Sequence, residues 1–438
     1  MSADDRVPSF SVDPASANAL TYRVPWIDPP ILAARSMTLT PSLPPSPGAI
    51  MKNAPLQSFF FVFLLLVTTN GRADAQSLHE QIDKLLSTSF VGPDVGQADD
   101  ATYIRRIYLD LTGRIPTAEQ TRQFFADTSA DKRARKIDEL LSSPDFTRHM
   151  AVTFDVMMME RRADKHVKTP EWRNFLYTAM KESRPLHELA AQVLAADGTD
   201  PALRPAAKFY LDREAESNLL TRDVGRVFFG VDLQCAQCHD HPLIDSYYQM
   251  DYYGLNSFFN RGYIFADKAK KLSFYAEKTE GITAFKSVFT EEEGTTGPFI
   301  PGGNEVVEPL HKSTEAYDVA PAANVMPIPK FSRRKQLAEL VRSGQSDAFN
   351  RNMANRLWAG MFGQGLVNPV DLHHDDNPPI HGPLLELLAA ELSGPLKFDL
   401  RAFLKELALT NAYQSAFEPP QQWEIPAETL QGRVAELE

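Results

Sequence analysis

Cys235-Ala236-Gln237-Cys238-His239 sets two thiols three residues apart with an imidazole directly after them, and these are the only two cysteines in the chain. On one helical turn residues three apart project to the same side. Both thiols can therefore add to the vinyl groups of one haem while the next side chain turns to the iron. In this assignment Cys235 and Cys238 are covalent anchors and His239 is the proximal ligand. Other assignments fit the same residues. The two cysteines could close a short disulfide, or join His241 as a zinc ligand set, and a pattern with three fixed positions also arises by chance. For the sixth iron position, Met250 lies only eleven residues past His239 and Met326 is better spaced, although a loop methionine is also ordinary packing material. An open, five-coordinate iron is equally allowed.

A second polar cluster runs His373-His374-Asp375-Asp376-Asn377-Pro378-Pro379-Ile380-His381. Imidazoles and carboxylates at this density suit a divalent metal, with His373, His374, Asp375 and His381 as ligands of a metal-dependent hydrolase. The plainer expectation is a solvated proline-rich loop that caps a helix opening at Pro383. No phosphate-binding glycine loop, nucleophile-elbow serine or dinucleotide fingerprint is present, so nucleotide and serine-hydrolase chemistry has no sequence support.

The elements that must position these residues read as helices. From Ser77 to about Phe259 the apolar spacing is helical, as in the face Ile104, Ile107, Tyr108, Leu111 and in Ile137, Leu140, Leu141. Thr117 with Gln120 forms a capping box, and Ser143-Pro144 supplies a cap and a first-turn proline. Val224 to Phe229 is a helical approach to the cysteines. Between about Tyr263 and Pro301 short Thr-, Phe- and Val-rich runs broken by Gly281 and Gly294 predict two or three small strands. Residues 301–330 read as a linker rich in Pro, Ala and Gly. Helices then follow at Arg333–Gly344, Asp347–Met361, Pro383–Ser393 and Asp399–Asn411. The expected fold is mainly α: a helical bundle over 76–300 with a small β insertion, then a second helical domain over 331–438. Met157-Met158-Met159 is expected in the core and Arg333-Arg334-Lys335 on a solvated face.

The N-terminal part points to export. Met51 to Ser58 is a polar start with one lysine, Phe59 to Val67 is a run of nine apolar residues, and Ala73-x-Ala75 ends in the small residues of a signal-peptidase site. Nine apolar residues are about half of the ~20 needed to span a bilayer core. Residues 51–75 therefore read as a signal peptide, with no stable membrane span after cleavage and a periplasmic or secreted product. The fifty residues before Met51 hold nine of the 32 prolines and no apolar periodicity, and read as a disordered leader with a mis-assigned start. Export supports the haem assignment, since bacterial haem attachment to such motifs takes place outside the cytoplasm. A net charge of -12 lacks the basic face that nucleic acid requires.

Tyr103 to Thr117 (YIRRIYLDLTGRIPT) together with Phe229 to Pro242 (FGVDLQCAQCHDHP) resembles planctomycete secreted proteins with domain of unknown function 1549. Asn355-Arg356-Leu357-Trp358 and Phe362 to Val367, continuing to Asn377-Pro378-Pro379, resemble the companion domain of unknown function 1553. The two resemblances span nearly all of residues 76 to 438. They imply an exported, redox-linked, cytochrome-c-associated protein that works with a redox partner or beside extracytoplasmic enzymes of polysaccharide breakdown. Family members often carry a separate N-terminal cytochrome c domain, and the companion domain usually runs well past Asn411 to Ser415. The expectation is therefore a truncated or short second domain.

Overall fold

The computed structural model describes residues 76–89, 95–310, 312 and 315–416. The expected leader and signal segment, and residues 417–438, lie outside the described residues.

Helices come first in the chain: α1 (Leu78–Ser89), α2 (Asp100–Thr112), α3 (Ala118–Ala126), α4 (Lys132–Leu141), α5 (Pro144–Met159), α6 (Thr169–Lys181) and α7 (Leu186–Ala195). The short α8 (Lys208–Leu211), α9 (Ser217–Val224) and α10 (Gln249–Asn256) follow. Their ends obey local chemistry. Thr117 and Gln120 close the reciprocal capping box on α3, Ser143 caps α5 ahead of Pro144, and Gly113 ends α2 at a φ of +67°. Ile104, Ile107, Tyr108 and Leu111 are all buried, so the predicted face of α2 is its core face.

The β insertion is larger than expected. Four strands form two antiparallel hairpins, β1 (Gly262–Asp267) with β2 (Leu272–Glu277) and β3 (Thr283–Lys286) with β4 (Glu293–Thr296). A third small pair, β5 (Tyr317–Val319) with β6 (Ile328–Pro329), lies within 301–330. Then come α11 (Arg333–Arg342), α12 (Asp347–Phe362), α13 (Gly382–Ser393), α14 (Leu400–Leu409) and α15 (Asn411–Gln414). The fold is mainly α with small β insertions.

One hydrophobic core takes side chains from both helical blocks, including Trp172, Phe209 and Phe228 from the first and Leu337, Phe349 and Leu404 from the second. The described residues between 76 and 416 accordingly belong to one compact unit. α11 lies on α7, α14 on α4, and α12 on the turn that follows α9. Met158 and Met159 are buried as expected.

A further sequence expectation fails. Arg333 and Arg334 are buried, not solvated. Arg333 pairs with Glu308, and Arg334 meets Glu277 at 3.4 Å while its guanidinium lies over the rings of Tyr210 and Tyr275. A buried charge needs partners, and carboxylates over twenty residues away in the chain supply them, beyond the reach of local pattern reading.

Candidate functional site

The approach to the cysteines is helical, but not as one α-helix. α9 runs into a π-helical turn, Gly225–Phe229, that ends at Gly230 with a φ of +71°. The chain then extends to a 3₁₀ turn at Cys235–Gln237, where residues three apart eclipse one another. Cys235 opens this turn and Cys238 closes it, its N–H bonded to the Cys235 carbonyl at 3.5 Å. Ala236 between them is fully buried and anchors the turn, while both cysteines are free and exposed.

This turn is clamped from two sides. From α10, the Gln249 side-chain amide and the Tyr253 hydroxyl both donate to the Gln237 carbonyl, at 3.3 and 3.2 Å. From the β3–β4 hairpin, the backbone N–H of Val288 donates to the Cys238 carbonyl at 3.0 Å. Gln249 also donates to the Lys286 carbonyl at 3.2 Å, and Phe285 stacks on Tyr253 at 5.1 Å, so the two clamps brace each other.

His239 hydrogen-bonds through Nδ1 to the Asp240 carbonyl. A carbonyl only accepts, so Nδ1 carries the proton and the lone pair is on Nε2. That is the tautomer a proximal imidazole needs, with a backbone carbonyl that fixes the ring's orientation. The Phe289 ring lies 4.6 Å from the imidazole. His241 is set the other way: its Nδ1 accepts from the Leu243 N–H at 3.2 Å, which places its proton on Nε2. Burial, followed by the charges of His374 and His239, holds the His241 imidazole below its ordinary pKa.

Tyr247 joins the two polar clusters. Its hydroxyl donates to the His373 carbonyl at 2.8 Å, and its ring meets His241 at 6.0 Å and His374 at 5.5 Å. The His373 N–H donates to the Gly230 carbonyl at 3.0 Å. A Cβ on Gly230 would stand 2.7 Å from the His373 ring and 2.8 Å from Asn352, so glycine is required here by contact as well as by φ. Burial, with Arg351 and Arg356 nearby, pushes His373 down to about 4. Asn355 is fully buried on α12 and secures the same loop, exchanging two 2.9 Å hydrogen bonds with the backbone of Val367.

The proposed metal sets are not assembled. Among the described residues, no three His, Cys, Asp or Glu side chains converge on one metal position. His381 caps α13 by accepting from the Leu384 N–H at 3.0 Å, and its other ring nitrogen meets the Ser89 hydroxyl at 2.9 Å. Asp375 is exposed and the Nδ1 of His374 is buried without a partner. Met250 is half exposed at the start of α10, and Met326 lies in the loop before β6. A cleft of about 210 Å³ opens beside the turn, lined by Glu216, Arg222, Gln234, Gln237 and Tyr252 among others. It is polar and falls short of the ~300 Å³ typical of a ligand pocket.

Residues 81–263 match the family model PSCyt2, a protein of unknown function (DUF1549), and residues 333–433 match PSD1, a protein of unknown function (DUF1553). The chain carries a DUF1549 domain followed by a DUF1553 domain. No curated protein and no solved structure matches it. The cysteine turn thus belongs to the DUF1549 stretch and the His373 loop to the DUF1553 stretch, and the contacts through Tyr247 and Gly230 run between the two. Sequence reading did not single out Tyr247 or Phe289. Each acts through a partner distant in the chain, and neither carries a local pattern that marks it.

Proposed function

We propose that this chain is an exported electron-transfer protein carrying one c-type haem, with Cys235 and Cys238 as covalent anchors and His239 Nε2 as the proximal iron ligand. The observation that carries this reading is the state of the five-residue turn: two exposed free thiols at the start and end of a 3₁₀ turn, and an adjacent imidazole whose Nδ1–H is tied to a carbonyl. The residues fit the group in donor chemistry and accessibility. Each thiol can add its sulfur and hydrogen across one vinyl double bond, with no leaving group. Bound there, the haem supplies a one-electron iron couple whose potential follows its axial ligands and exposure. The chain's own part is to hold the turn rigid through Gln249, Tyr253 and Val288 and to fix the tautomer of His239. The name of the matched family, PSCyt2, also points to association with cytochrome c. No helix of the described residues is long and apolar enough to cross a membrane, which is compatible with release after signal cleavage.

The test is expression of the full chain with its signal in a periplasm equipped for haem attachment. The expected product absorbs in the Soret region, and the peptide containing Cys235 and Cys238 gains the mass of one haem. Cys235→Ser with Cys238→Ser abolishes both. A colourless product whose thiols titrate as free, or that holds zinc in stoichiometric amount, refutes the reading.

A further inference from the structure

Apolar side chains that a soluble fold would ordinarily cover surround the cysteine turn. Phe289 is 74% exposed although its ring contacts that of His239, and Val288, whose N–H holds the Cys238 carbonyl, is 63% exposed. Leu243, whose N–H bonds to His241, is 83% exposed. Isolated exposed apolar residues need no explanation, but these three flank one turn: the Phe289 ring lies on the His239 imidazole, and the backbone N–H groups of Val288 and Leu243 bond to the Cys238 carbonyl and to His241.

The rim of this patch is acidic. Glu291, Glu292 and Glu293 stand exposed at the tip of the β3–β4 hairpin, and Asp240 and Asp245 are exposed on the loop that follows His239. Lys286 on the same hairpin pairs with Glu293 at 3.4 Å, which leaves the rim strongly negative. An apolar centre over a redox group, ringed by charge of one sign, is the arrangement that steers a partner of opposite charge and still lets it dissociate. Small contact areas of this kind suit transient electron-transfer encounters.

We propose that the Cys235–His239 turn and the β3–β4 tip form a docking face for a small basic redox protein, one with an apolar centre rimmed by lysines. The proposal rests on the electron-transfer reading above. Phe289 and Val288 make the apolar contact beside the iron ligand, and Glu291 and Glu292 supply the long-range attraction.

The probe is mitochondrial cytochrome c, a lysine-rimmed redox protein, titrated calorimetrically into the full exported chain at low and at near-physiological ionic strength. Binding is expected at low salt and weakens at least tenfold as the Debye length falls towards ~8 Å. The double variant Glu291→Lys, Glu292→Lys loses at least tenfold in affinity at low salt and most of the salt dependence. Both residues are exposed on a turn, so folding is preserved, and circular dichroism checks it. Phe289→Ser weakens binding at both salt concentrations. Absence of binding at low salt, unchanged affinity in these variants, or salt-independent self-association abolished by Phe289→Ser would each overturn the proposal, the last by showing a second copy as occupant. The Soret absorbance of the same samples reports separately on the haem, so a failed docking face and a failed haem assignment are told apart.

Discussion

Acidification acts on the contact between the two family stretches through His373. Burial holds this imidazole neutral, with its pKa taken from 6.5 down to about 4. Below pH 6.5 the unfolded chain binds a proton at this position and the folded chain does not, so stability falls as pH drops through that window. The full depression is worth about 3 kcal/mol, of which about 2 kcal/mol is lost between pH 7 and pH 4.5. Burial is the largest cause, Arg351, Arg356 and His374 add to it, and Asp371 opposes it. Other histidines with lowered values, His149, His187 and His241, add to the total acid sensitivity. The informative quantity is therefore the difference between the wild type and His373→Gln, which keeps the backbone bonds to Gly230 and Tyr247 but cannot titrate. Urea unfolding at pH 7 and pH 4.5 should show the wild type losing about 2 kcal/mol more than the variant across this interval. Equal losses in the two proteins would refute the account of His373 as a buried neutral group.

Two further substitutions test buried polar contacts, one at the site and one in the first helical block. Asn355→Ala leaves the N–H and carbonyl of Val367 without partners in a buried place and should cost about 2–4 kcal/mol in urea unfolding, with Asn355→Asp not rescuing it. Lys208 is buried and bonds to Asp212, to Asp164 at 2.9 Å and to the Val167 carbonyl at 2.7 Å. Lys208→Met leaves the buried Asp212 carboxylate without its cation, held only by backbone N–H groups such as those of His166 and Val167, and should cost about 3–5 kcal/mol, much of it regained in Lys208→Met with Asp212→Asn.

The sequence by itself determined the helices and which reactive side chains stand together in the turn. Apolar spacing at three and four residues marked the core faces of α2 and α4, and Thr117, Gln120, Ser143 and Pro144 marked the helix starts, because caps and amphipathic periods are local properties. The pattern Cys235, Cys238, His239 likewise set two thiols and an imidazole within five residues. Tertiary structure decided what lies around those donors. It brought His374 and Tyr247 to His241, required glycine at position 230, buried Arg333 and Arg334 among distant carboxylates, and laid Phe289 against His239. Each of these depends on groups far apart in the chain, and on burial, which changes the cost of a charge and the pKa of an imidazole in ways that spacing along a sequence does not record.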